Sequence, residues 1–193
     1  MSRGVLLIGS AALLAQGPSV PQSSPSQPRA GLEADWAIAA VLQEIGDHAN
    51  RLATFLDKID AKAWMEKGAS ETYDEQLQST KEQVKALSSG ARTLAASPEK
   101  LSANLELYFR IHAIETMLTS VEEGIRRYQS PANAQALTIL AAQNDANRDR
   151  LQRYIVNLAA VREQDLVVMD REAQRCRGLV TQPPPPRIPV RKK

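Results

Sequence analysis

Four consecutive stretches of this chain place apolar residues alternately three and four positions apart, and that spacing leaves little choice of fold. The first, about Leu32 to Asp60, carries Ile38, Val41, Ile45, His48, Leu52, Phe55 and Ile59. The second, about Glu71 to Ala96, carries Tyr73, Leu77, Thr80, Val84, Leu87, Ala91 and Leu94. A third reaches about Gln129, and a fourth runs on to about Arg177. Side chains three and four residues apart share one face of an α-helix, so each stretch predicts a helix with a single apolar stripe. Sheets are disfavoured by the same chain, because aromatic residues, which suit pleated surfaces, make up only 4% of it.

The joints are marked. Gly68 can stop a helix and Ser70 can cap the next one. "SPEK" offers Ser97 as a cap with Pro98 in the first turn, and "SPAN" repeats the device with Ser130 and Pro131. Gly178 and the four prolines that follow "TQ" end the last helix. Short joints between heptad-like helices predict an all-α, coiled-coil-like, antiparallel up-down four-helix bundle with a long C-terminal helix. A three-helix packing with the first helix detached is the alternative. The fourth helix would be roughly 70 Å long against about 40–45 Å for its neighbours, at 1.5 Å per residue. It must kink or overhang the others.

The ends read differently. "MSR" followed by the apolar run Gly4–Ala15 has the form of a secretory signal peptide, and the run is too short to cross a bilayer. Residues 1–16 are therefore expected to be removed on export, leaving a periplasmic or secreted protein with no transmembrane segment. Residues 17–31, rich in Pro, Ser and Gln, read as a disordered linker before a bundle domain at 32–179. Residues 180–193 read as a disordered, Pro-rich basic tail.

The net charge of +2 hides a division. From Arg171 onward seven Lys or Arg stand against Glu172 alone, a charge of +6. Without that segment and Arg3 the chain has 16 basic and 21 acidic residues, near −5. No basic face accompanies an aromatic platform, so nucleic acid is not an expected partner. The tail could touch an anionic envelope surface.

Chemistry is scarce. Two His and one Cys supply no Cys–His pair at useful spacing, no zinc quartet and no Cys-x-x-Cys-His haem motif. Gly-rich phosphate loops are absent as well. No catalytic residue and no cofactor are expected. One constellation stands out: His48 with Glu44 a turn before it, His112 with Glu115 three residues on, and the amides Asn144 and Asn147 inside the fourth apolar stripe. In an up-down bundle all six fall near mid-height. They could form a polar layer that fixes register, or face water where the stripe drifts, or bind a metal or small ligand. Dimetal bundles use Glu-x-x-His twice, whereas here the orders are Glu44-x₃-His48 and His112-x-x-Glu115.

Cys176 has no partner within the chain, so an intermolecular disulfide is a candidate in an oxidising compartment. Just before it, Leu166, Val167, Val168 and Met169 would find too little bundle to cover them and could pair two chains. The sequence thus predicts an exported bundle of the cell envelope that binds or scaffolds an unknown protein partner, or itself, without catalysis. The alternative is a metal- or ligand-binding bundle built on the His48–His112 layer.

Overall fold

The computed structural model describes residues 35–180. Six helices account for nearly all of them: α1 (Asp35–Leu56), α2 (Lys62–Met65), α3 (Thr72–Ala95), α4 (Leu101–Tyr128), α5 (Pro131–Ala142) and α6 (Asp145–Val180). No strand occurs among the described residues, so burial must come from helix packed on helix. The expected signal peptide and linker, and all of the expected tail but Val180, lie outside the described residues.

The stripes pack as their spacing requires. Ile38, Val41, Leu42, Ile45, Ala49, Leu52 and Leu56 of α1 are buried with Leu77, Val84, Leu87 and Ala91 of α3. Leu107, Ile111, Ile114, Leu118 and Val121 of α4 join them, as do Leu137 of α5 and Leu151, Tyr154, Ile155 and Leu158 of α6. Helix α1 packs on α3, α5 and α6, and α4 packs on α3, α5 and α6. The first helix is therefore not detached.

Polar pairs along the seams show the order of approach. Asp47 meets Arg92 at 3.1 Å, Asn50 accepts from Ser88 at 2.7 Å, and Asp57 meets Lys81 at 3.7 Å. Between α3 and α4, Arg110 donates to Gln83 at 3.0 Å and Ser120 to Gln76 at 2.7 Å. In both seams one residue number falls as the other rises.

Two of the joints depart from expectation in instructive ways, and one conforms. Ser97 does not cap α4, which begins only at Leu101 after a turn through Pro98. That turn is held from within instead: the carbonyl of Pro98 accepts from the buried Asn104 Nδ2 at 2.7 Å and from the Tyr154 hydroxyl at 3.0 Å. Ser130 does cap α5, accepting from Ala132 N at 3.2 Å with Pro131 in the first turn. The second departure is α2, a single turn inside "AKAWMEKG" that inserts Trp64 beneath the bundle. The turn that follows it closes at Gly68, whose φ of +85° suits glycine alone without strain.

The fourth stripe is not one helix. It breaks at Gln143–Asn144 into α5 and α6, and α6 then outruns its neighbours. Arg162 donates to Glu99 O at 3.2 Å at the α3–α4 turn, which marks the end of the bundle on that side. Every residue from Leu166 to Gly178 is exposed. The helix both kinks and overhangs.

Candidate functional site

The kink explains why His48 is where it is. In an uninterrupted helix the carbonyl of Leu140 would accept from the amide of Asn144 four residues on. Here that amide turns to Ala141 O at 3.3 Å, and Leu140 O receives only a long bond from Gln143 N, also 3.3 Å. His48, reaching across from α1, gives Leu140 O its shorter bond, 2.8 Å from Nε2. A carbonyl can only accept, so Nε2 carries the proton. The ring is 3% exposed, and its Nδ1 is buried without a hydrogen-bond partner. His48 thus ties α1 to the break in the fourth stripe.

Burial pushes the His48 imidazole down from its ordinary range, and Arg51 adds to this, while the Leu140 bond and Asp145 oppose it. The neutral form is therefore favoured in the folded chain. As pH falls, the unfolded chain takes up the proton first, so stability rises with pH across this window. The contribution should be complete above the imidazole's ordinary pKa of about 6.5 and lost as pH drops from there through the lower folded value. His48→Gln keeps a donor for Leu140 O but cannot titrate. Its melting midpoint should fall less than the parent's between about pH 7 and pH 5. Parallel decline of the two would contradict this account.

The other members of the sequence-predicted layer are dispersed. Glu44 is exposed on α1. His112 is exposed on α4, its ring edge-on to Tyr108 at 4.5 Å and its Nδ1 3.1 Å from Glu115 Oε2. Asn144 is buried at the kink, its Oδ1 without a partner, and Asn147 is half-buried. His48 and Asn144 meet the break in the fourth stripe from two sides, whereas His112 belongs to a separate surface network. Among the described residues no group of three or more His, Cys, Asp or Glu side chains could hold a metal ion.

That surface network centres on Arg148, which sequence reasoning did not single out. Its guanidinium lies 2.7 Å from Glu115 Oε1 and 3.3 Å from both Asp145 and Asp149. The hydrogen bond it donates to Glu115 holds its pKa above the ordinary arginine value. Glu115 and Arg148 face a cleft of about 160 Å³ between α4 and the kink, floored by Leu118, Leu137 and Ala141. Arg148 bridges Glu115 of α4 and the α6 carboxylates Asp145 and Asp149, so the arrangement joins α4 to α6, and with Glu122 beside them the cleft lining carries more acid than base. Chemically it is a clamp.

The contiguous apolar surface lies elsewhere. Leu166, Val167, Val168 and Met169 are 51–66% exposed in succession on the overhang, whereas the other large exposed apolar residues, such as Phe109 and Val156, stand apart from them. Single exposed apolar residues are ordinary on a protein surface, whereas these four form a band around the helix. Cys176 is exposed two turns further on. Among the described residues no helix is long and apolar enough to cross a membrane. No family model, curated protein or solved structure matches the chain.

Proposed function

We propose that this protein is an exported, non-catalytic bundle of the cell envelope that binds or scaffolds through the overhanging part of α6. The observation that carries the reading is the band Leu166–Met169, four successive large apolar side chains held in water on a rigid helix. Keeping them there has no benefit to the fold, whose core closes without them. The body is an antiparallel up-down four-helix bundle with the fourth position shared by α5 and α6. The opposed numbering of the α1–α3 and α3–α4 pairs supports that topology, as does the ring of contacts α1, α3, α4 and α5–α6. The apolar run Gly4–Ala15 behind a basic N-terminus supports export.

The test is made in the producing cell with a photo-crosslinking residue at Met169 or, as control, at Val156 on the side of the bundle. Capture in the exported fraction from Met169 and little from Val156 is the expected result. The captured chain should begin between Gln16 and Val20 on N-terminal sequencing. Intact Met1 would sink the export reading, and equal labelling at both positions would sink the contact reading.

A further inference from the structure

We infer that the overhang recognises a second copy of this chain, the two α6 segments packing antiparallel with Leu166 against the partner's Cys176 and Met169 against the partner's Ala173. This rests on the reading of the overhang as a contact element, and it names the partner and the geometry.

The spacing is the first argument. Leu166, Met169, Ala173 and Cys176 follow one another at intervals of three, four and three, which is the seam of a two-stranded coiled coil. At 100° per residue they continue the face that Leu151, Ile155 and Leu158 bury inside the bundle. Arg162 joins the two runs where the bundle ends. A face used for helix packing therefore runs on past the last helix able to cover it.

Sterics choose the direction. The seam looks toward the side on which α1 and α4 lie against the earlier part of α6. A parallel partner would bring its own bundle alongside, into the space this bundle fills. An antiparallel partner ends against the bundle near Glu99 and keeps its own bundle beyond the far tip. Antiparallel pairing centred near Arg171 also sets large residues against small ones, Leu166 on Cys176 and Met169 on Ala173, twice each.

Charge agrees. The segment from Arg171 onward carries +6 and the rest of the chain, Arg3 aside, about −5. Antiparallel pairing brings Arg175 and Arg177 of each helix toward the acidic body of the other copy, which a parallel pair would not do. In this geometry the two Cys176 residues are separated by ten residues of helix rise, about 15 Å. A disulfide needs Cα atoms within about 7 Å, so Cys176 does not lock to its own counterpart.

The test uses the full chain carrying Leu166→Cys, at a position already exposed, with unchanged helical circular dichroism as the check on folding. Diamide removes two electrons and two protons from a pair of apposed thiols and forms one disulfide. The variant should run mainly as a covalent dimer on a non-reducing gel. The unaltered chain should remain monomeric there, as should Leu166→Cys combined with Cys176→Ser. A covalent dimer of the unaltered chain would mean parallel pairing and overturn the inference while leaving the overhang as a contact surface. No crosslink in any chain, with a monomer by light scattering at about 100 µM, would overturn self-recognition itself. The Met169 crosslinking result would then decide the contact reading independently.

Discussion

Replacing Trp64 by alanine is expected to cost about 3–5 kcal/mol, a large share of the 5–15 kcal/mol that separates a typical folded domain from its unfolded chain. The residue sits on the four-residue helix α2 and is 2% exposed. Its indole stacks on Tyr128 at 6.2 Å between centroids and meets Tyr73 edge-on at 6.1 Å. Three segments, the α2 turn, the start of α3 and the end of α4, thus share one aromatic cluster. Gly124 makes room for it: a Cβ there would come within 2.6 Å of the indole ring and 3.0 Å of Tyr73. Removing the ring leaves a cavity that a helix backbone on one side cannot collapse to fill. The same end is tied by Lys67, whose ammonium donates to Tyr128 O at 2.7 Å and satisfies a carbonyl at the end of α4. Urea denaturation of the variant measures the loss. A cost under about 1 kcal/mol would mean that α2 does not seal the bundle.

Little of that cluster was legible in the sequence. "MEKGAS" announced a break, and Gly68 closes the turn after a helix there, but a single helical turn has no periodicity to detect. Trp64 and Gly124 are 60 residues apart, and their fit is a matter of shape. The long stripes were legible because one face of each had to be apolar whatever the joints did. His48 was legible as a buried polar residue because it replaced an apolar one in such a stripe. His112 only borders its stripe, so spacing leaves both the layer and the water-facing alternative open; one residue beside a stripe is about 100° away from its neighbour, and here it turns to water.

The amides of the fourth stripe mark the limit most clearly. Asn144 and Asn147 both interrupt an apolar stripe, yet only Asn144 stands at the break, and the reason lies partly in α1. Polar side chains such as Asn compete with helical hydrogen bonding and favour helix ends. The Leu140 carbonyl is then bonded by His48, 92 positions away in sequence. Local propensity made the break available, and a distant residue stabilised it. For the α3–α4 turn the situation was similar: Ser97 and Pro98 looked like a cap, but Asn104 and Tyr154 hold the turn from inside, and α4 starts later.

Ending the chain at Arg162 is expected to have the second large effect, and it falls on association. Residues beyond that point contribute the Leu166–Cys176 seam and the basic segment that counters the acidic body. Self-association should therefore disappear completely. The fold should not notice. Leu158 is the last buried residue of α6, Val161 is half-buried, and the Arg162 bond to Glu99 O remains. Losing the helix beyond it, exposed but for the half-buried Asp165, should change stability by no more than about 0.5 kcal/mol.

The account's central claim is that stability resides in the bundle up to Arg162 and that the overhang is kept for contact. Thermal unfolding of the full chain and of the chain ending at Arg162, at a concentration too low for pairing, tests it most directly. The account predicts coincident melting curves. A truncated chain less stable by more than about 2 kcal/mol would show that the overhang packs within its own molecule, and would contradict the claim.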